Sequence, residues 1–213
     1  MERLMNLGVI PVNTDILYSL YNDLKSPDKK LSELERKGLV IRVKRNLYVV
    51  SPKVHKKEIS TELVANHLYG PSYVSLESAL AYYGLIPERV YAMRSVCIKL
   101  HKQYDTPLGH FEYVKAPAKY YPVGVSQEII GNSYAFLIAS PEKALCDKII
   151  ATPNLRLQSV KAIQEYLEED LRFEMSALAT FDPDTVEACI EFGKKKTELT
   201  QLLKLLQNGK EYF

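Results

Sequence analysis

The chain has 213 residues and a mass of 24.3 kDa, which is enough for one large domain or two small ones with hydrophobic cores. Hydrophobic residues make up 46% and charged residues 25%, a balance that excludes a disordered, collagenous or coiled-coil protein. No window approaches the roughly 18 to 20 consecutive apolar residues of a membrane span, and residues 1–6 lack the apolar run of a signal peptide. We therefore expect a cytoplasmic protein with no membrane partner.

The net charge of +2 hides a division along the chain. Residues 1–57 carry 12 Lys and Arg against 6 Asp and Glu, whereas residues 58–213 carry 16 against 20. A basic front and an acidic remainder favour a first quarter that meets a polyanion. The alternative is a basic face that is merely solvated.

Two helices are predicted in this basic part. Asn13 or Thr14 can cap the first helix, because their side chains accept hydrogen bonds from free first-turn amides, and apolar residues then recur at helical spacing. The second helix is predicted from about Pro27 to Lys37, with a proline in its first turn and Gly38 as a left-handed terminator. Few apolar residues lie on this second helix, so most of its surface is polar.

A β-hairpin is predicted to follow. Ile41 and Val43 alternate with Arg42 and Lys44, which places the two basic side chains on one face. The turn is at Arg45-Asn46, where Asn46 can adopt a positive φ, and residues 47–50 form the return strand. Helix, turn, polar helix and hairpin with a basic tip is the order of a winged helix-turn-helix module.

Such a module binds DNA by placing one helix in the major groove while the hairpin lies beside phosphates. Neutralising phosphates releases counterions and fixes the register of the protein on the duplex. The candidates for contact with bases or nearby phosphates on the helix are Lys29, Lys30, Ser32, Glu33 and Arg36. The candidates for phosphate contact on the hairpin are Arg42, Lys44 and Arg45. The alternative is a solvated surface helix with a hairpin that docks on protein.

After a short basic link over residues 53–57, helices and strand-like runs alternate. Helices are predicted around residues 59–68 and 75–84, strands over 95–100, 111–114 and 134–138, and helices from Ser140 onward. The predicted fold is α+β, with a winged helix-turn-helix over residues 1–57. An α+β domain spans residues 58–213, and its C-terminal region is helical from about residue 140.

No catalytic constellation emerges from the residue pattern. Cys97, Cys146 and Cys189 are too few and too scattered for a disulfide framework or a zinc site, and we expect buried reduced thiols. Glu112 and Lys115, preceded by Asp105, are candidates for a nuclease motif. Glu112 and Lys115 are three apart, however, so a regular strand sends them to opposite faces and the pairing fails. Ser75 and Ser140 precede apolar-periodic segments and are interpreted as helix caps. We predict no enzyme activity, no metal and no cofactor, with a catalytic domain acting on nucleic acid as the alternative.

Three blocks of sequence resemble the AbiEi family of antitoxins, from type IV toxin-antitoxin or abortive-infection systems. They are residues 38–48 (GLVIRVKRNLY), 71–80 (PSYVSLESAL) and 139–148 (ASPEKALCDK), and the resemblance spans roughly residues 13–152. It implies a winged helix-turn-helix that binds operator double-stranded DNA and represses its own operon. It also implies a C-terminal domain that neutralises a nucleotidyltransferase-like toxin of the AbiEii type without stable direct binding.

Two departures from the family pattern concern the first module. Asn46 stands where the family usually has glycine, which a left-handed turn position tolerates. The twelve residues before the first predicted helix are short for a complete three-helix unit, so its first helix is expected to be reduced or missing. Two alternatives follow for the module: a winged helix that still enters DNA, and one that survives as a scaffold.

An acidic stretch runs from Glu165 to Glu191, with nine carboxylates against the single base Arg172. Solvated helix faces are one interpretation. A docking surface for a basic partner is another, and repulsion that keeps the C-terminal region off DNA is a third.

Overall fold

Three helices and a hairpin come first in the chain. They are α1 (Glu2–Met5), α2 (Thr14–Ser19), α3 (Pro27–Arg36), β1 (Val40–Lys44) and β2 (Leu47–Val50). The computed structural model describes residues 2–88 and 91–209. Residue 1, which begins the first predicted domain, and residues 210–213, which end the second, lie outside the described residues.

The helix boundaries follow the predicted capping residues. The Asn13 side chain accepts a hydrogen bond from the Ile16 amide at 3.0 Å, and Pro27 occupies the first turn of α3. Gly38 has a φ of +63°, the left-handed conformation that ends a helix at low steric cost. The first helix, expected to be reduced or missing, is present as the single turn α1.

The hairpin forms where predicted, with Asn46 at a φ of +64° in the turn. The prediction that Arg42 and Lys44 share a face is wrong. The pairing register shifts between these two residues, and such an irregularity breaks the alternation of side chains. Arg42 lies over the Tyr48 ring, whereas the Lys44 ammonium reaches the backbone carbonyl of Leu68.

The remainder of the chain is α+β, as predicted, with more strands than expected. The helices are α4 (Pro52–His55), α5 (Thr61–Leu68), α6 (Leu76–Tyr82), α7 (Pro141–Ala151), α8 (Val160–Glu165), α9 (Pro183–Phe192) and α10 (Lys196–Gly209). A π-helical turn (Tyr166–Asp170) extends α8, and a 3-10 helix (Met175–Thr180) precedes α9. The strands are β3 (Ser72–Val74), β4 (Ala92–Cys97), β5 (Lys102–Thr106), β6 (Gly109–Lys115), β7 (Val125–Ile130) and β8 (Tyr134–Ala139).

These strands form one mixed six-stranded sheet in the order β5-β6-β4-β3-β8-β7. The register places Tyr73 and Tyr113 on opposite faces, because Tyr73 pairs with Val96 and Val96 with Val114. The Tyr113 hydroxyl donates to the backbone carbonyl of Ala65 in α5, and the Tyr73 hydroxyl donates to Asp147 in α7. Helix α5 therefore covers one face of the sheet and α7 the other.

Two hydrophobic clusters meet at the hairpin. The smaller one contains only residues from the first quarter of the chain, among them Leu17, Leu34 and Val50. The larger one is the core of the sheet and its helices, but it also includes Val43 and Val49 of the hairpin. Because successive strand residues point to opposite sides, the hairpin is buried on both faces and joins the two clusters.

The two predicted serine caps have different outcomes. Ser140 caps α7 as predicted, accepting from the Lys143 amide at 3.4 Å. The interpretation of Ser75 as a cap is wrong: it stands at the cap position of α6, but its hydroxyl donates to buried Asp147 at 2.6 Å.

All three cysteines are buried free thiols, as expected. None of the helices among residues 2–88 and 91–209 is long and apolar enough to cross a lipid bilayer.

Candidate nucleic-acid interface

Helix α3 presents one polar face to solvent. Leu31 and Leu34 are buried on the inner side, 6% and 4% exposed, whereas Lys29, Ser32 and Arg36 are exposed. The spacing of these three residues places them within one side of the helix, at about 100° per residue. Among the described residues, Lys29 and Arg36 have no carboxylate partner, so both cations are free for an external anion.

Two other candidates on α3, Lys30 and Glu33, form an ion pair with each other. The Glu33 carboxylate accepts from the Lys30 ammonium at 3.0 Å and from the Lys37 ammonium at 2.5 Å. The two hydrogen bonds lower the pKa of Glu33 from 4.5 to about 2. Lys30 and Glu33 therefore offer no net charge to a ligand and border the free face of α3.

The remaining α3 candidate, Ser32, lies beside a carboxylate. Its hydroxyl donates to the Asp28 backbone carbonyl at 3.0 Å, and the Asp28 carboxylate accepts from the Tyr18 hydroxyl of α2. The hydrogen bond to Asp28 raises the pKa of Tyr18. The Tyr18 to Asp28 contact thus ties α3 to α2, and Ser32 keeps its acceptor lone pairs.

The hairpin turn is fixed to the start of α2. The Asn46 carboxamide oxygen accepts from the Thr14 amide at 3.0 Å, and Val12 pairs with Tyr48 as an isolated bridge. Arg42 pairs with Glu35 at 2.9 Å and lies 5.4 Å from the centre of the Tyr48 ring. Arg45 is exposed at the turn and, within the described part of the chain, has no carboxylate partner.

A groove of about 550 Å³ runs between α2, α3 and the hairpin turn. It brings Ser32 of α3 together with Arg42 and Arg45 of the hairpin. Asp15 and Asp28 also line it. A guanidinium can bind phosphate or guanine, whereas a carboxylate accepts from the amino group of cytosine, so this mixed lining suits a base edge flanked by phosphates.

A second concavity continues along α3 on its outer side. About 350 Å³ in volume, it is lined by Lys29, Ser32, Glu33, Arg36 and Asp28. Ser32 and Asp28 belong to both concavities, so the α3 candidates other than Lys30 form one continuous surface with the hairpin turn.

Lys44 is the one candidate that the structure separates from the others. Its ammonium donates to the Leu68 carbonyl at the end of α5 and lies 5.6 Å from the centre of the Tyr104 ring. Burial, with a further contribution from the nearby Lys99 ammonium, lowers the pKa of Lys44. Lys44 does not line the groove, because the irregular register turns it toward the sheet.

Of two contacts near this surface, one is predictable from the local sequence and the other is not. The hydrogen bond between Asn46 and Thr14 has a local signal, since asparagine favours positive-φ turns and has a side-chain acceptor. The contact of Lys44 with Tyr104 joins residues sixty apart along the chain, and no local periodicity indicates it. The burial of Val43 and Val49 in the larger cluster is equally non-local.

The residues weighed for a nuclease site do not converge. Glu112 pairs with Arg94 at 3.1 Å, and Asp105 pairs with His110 at 2.7 Å. Lys115 lies three residues beyond Glu112 on β6, with its side chain on the opposite face. Among residues 2–88 and 91–209, no three His, Cys, Asp or Glu side chains gather closely enough to hold a metal ion.

A buried charge network occupies the α7 face of the sheet. Asp147 Oδ1 accepts from the Tyr120 hydroxyl at 2.7 Å and contacts the Lys143 ammonium at 3.2 Å. Its Oδ2 accepts from Ser75 at 2.6 Å and Tyr73 at 3.1 Å. With four donors on two oxygens, Asp147 is saturated, so this network holds the core together and leaves no acceptor for a substrate.

The acidic stretch lies on the side of the sheet away from the candidate interface. Helices α9 and α10 contact α7, which covers the sheet face opposite α5. The hairpin joins the core on the α5 side through Lys44 and Leu68. Helix α9 of the acidic stretch and the hairpin therefore pack on opposite sides of the sheet.

Comparison with models of known protein families finds no match, and comparison with curated proteins finds none.

Proposed function

We propose that residues 2–57 form a winged helix-turn-helix that binds double-stranded DNA, and that the protein represses its own operon. The observation that carries this proposal is the groove shared by α3 and the hairpin turn, with Ser32, Arg42 and Arg45 on its walls. Helix α3 is the recognition helix in this proposal, and the hairpin is the wing.

The residues of the interface contact different parts of the duplex in this proposal. Lys29 and Arg36 on α3 and Arg45 at the turn contact phosphates, where counterion release supplies affinity for any sequence. Ser32 faces the groove and contacts base edges, so sequence preference depends on it, while Arg42 contacts a phosphate beside the groove. Arg42 must first exchange its ion pair with Glu35 for the DNA contact.

The experiment is a mobility shift with the duplex that lies upstream of the gene, compared with a shuffled duplex of equal length. The wild type is expected to prefer the upstream duplex, and the triple variant Lys29→Ala/Arg36→Ala/Arg45→Ala to lose most of its affinity. The matched control, Lys119→Ala/Lys161→Ala/Lys204→Ala, also removes three exposed cations and should bind like wild type. Equal binding by both triple variants would refute the interface.

We propose further that the protein is an antitoxin, on the strength of its resemblance to the AbiEi family in residues 38–48, 71–80 and 139–148. Its functional partner is then a nucleotidyltransferase-like toxin, and neutralisation proceeds without a stable complex. Growth of cells expressing such a toxin from the neighbouring gene, with and without this protein, tests antitoxicity. Failure to restore growth would contradict it, and a purified complex of the two proteins would overturn the expected absence of binding.

A further inference from the structure

A group of basic and aromatic side chains lies at the β5 edge of the sheet, next to the hairpin. We call it the lysine-tyrosine patch; it consists of Lys44, Lys99, Lys102, Tyr69 and Tyr104. The Tyr69 and Tyr104 ring centres are 5.9 Å apart. Each ammonium lies over a ring face: Lys99 is 5.3 Å from the Tyr69 centre, and Lys44 and Lys102 are 5.6 and 5.8 Å from the Tyr104 centre.

The charge of this patch is not compensated by carboxylates. Lys44 donates to the Leu68 carbonyl and Lys99 to the Gly70 carbonyl, both of which are neutral acceptors. Asp105 also lies on β5, but its side chain is on the opposite face from Tyr104 and pairs with His110. Among the described residues, the three patch lysines therefore have no acidic partner.

Burial lowers the pKa of Lys44, and repulsion by the nearby Lys99 ammonium lowers it further. Each ammonium has three N–H donors, and Lys44 and Lys99 each donate one hydrogen bond to a carbonyl. The spare donors and the excess positive charge fit a ligand with anionic oxygens. The tyrosine rings limit where the ammonium groups can move, which lowers the entropic cost of binding such a ligand.

The patch adjoins the interface proposed for the winged helix at the hairpin turn, although the Lys44 side chain itself points toward the sheet. Lys44 is the residue before Arg45, which lines the groove at the hairpin turn. The patch and the hairpin both lie on the α5 side of the sheet, while α9 of the acidic stretch packs on the α7 side. A duplex that lies along α3 and the hairpin and continues past the turn would bring backbone phosphates to this edge.

We propose that the lysine-tyrosine patch binds the phosphate backbone of the same DNA duplex, beyond the segment held by α3 and the hairpin. The second region of the chain then contributes to DNA binding directly. Its contacts are to phosphates, so they extend the site and add affinity without reading bases. This inference rests on the proposed DNA binding of the first region.

The test compares Lys99→Gln/Lys102→Gln with the control Lys161→Gln/Lys204→Gln, which removes two exposed lysines from the C-terminal helices. Fluorescence anisotropy across a salt series gives the slope of log affinity against log salt for the upstream duplex. Loss of two phosphate contacts is expected to reduce this slope by about 1.8. Hydroxyl-radical footprinting should lose protection at one flank of the site in the patch variant only.

The outcomes separate this inference from the function on which it rests. Wild-type slope and footprint in the patch variant, with weakened binding by Lys29→Ala/Arg36→Ala/Arg45→Ala, would overturn the patch and leave the winged helix standing. Undiminished binding by both variants would overturn both proposals. Patch-dependent binding that is tighter for a single strand than for the duplex would also overturn the inference, because the patch would then bind another form of nucleic acid.

Discussion

The two regions of the molecule use ion pairs in different ways. In the first region, Lys30 and Lys37 pair with Glu33 at the surface of α3, where water screens the charges. In the second region, Lys143 is fully buried and pairs with Asp147, whose side chain is 3% exposed. The surface pairs select which cations stay free for a ligand, whereas the buried pair is part of the core.

The largest effect is expected from breaking the buried pair. Asp147→Ala leaves the Lys143 ammonium in the core without a counter-charge and frees three hydroxyl donors. We expect it to lower the free energy of unfolding by about 3–5 kcal/mol, measured by denaturant titration. Glu165→Ala, which removes an exposed carboxylate paired with Lys161 on α8, should cost far less. Equal losses for the two variants would contradict the core role of Asp147.

An intermediate effect is expected where the hairpin turn meets α2. Asn46→Ala keeps a positive φ that alanine disfavours and removes the hydrogen bond to the Thr14 amide, so we expect a loss of about 1–2 kcal/mol. Asn46→Gly loses the same hydrogen bond but relieves the backbone strain, and should therefore be the milder variant. Thermal unfolding of the two variants measures which one loses more stability. A smaller loss for Asn46→Ala than for Asn46→Gly would show that the turn is not left-handed.

The smallest effect is expected at the surface pair, and it depends on pH. The pKa of Glu33 is lowered in the folded chain, so its stabilisation is present above its ordinary value of 4.5 and is lost as the pH falls toward about 2. Glu33→Gln should be slightly less stable than wild type at neutral pH, and the difference should vanish in acid. A difference that is constant from neutral pH to pH 2 would contradict the ion pairing.

Local features of the fold were predictable and non-local ones were not. Asn13, Pro27 and Gly38 act within their own turns, and the structure confirms the elements they delimit. Strand β5, with only Tyr104 and Thr106 partly buried, lacks an apolar run, and its pairing with β6 depends on tertiary contacts. A local pattern of apolar residues therefore cannot predict such an edge strand.

The same distinction applies to the site. The polar face of α3 follows from helical spacing, so Lys29, Ser32 and Arg36 could be grouped before their positions were known. The position of the Lys44 side chain depends on a register shift and on Tyr104, sixty residues further along the chain. The role of Ser75 depends on Asp147 in the same way, since its hydroxyl was expected to cap a helix and instead completes a buried network.

The salt dependence of DNA binding tests the central claim most directly. Each phosphate contact contributes about 0.9 to the slope of log affinity against log salt for B-form DNA. If Lys29, Arg36 and Arg45 contact phosphates, replacing all three with alanine reduces the slope by about 2.7, while Lys119→Ala/Lys161→Ala/Lys204→Ala leaves it unchanged. Equal slopes for wild type and the first triple variant would mean that α3 and the hairpin do not face DNA.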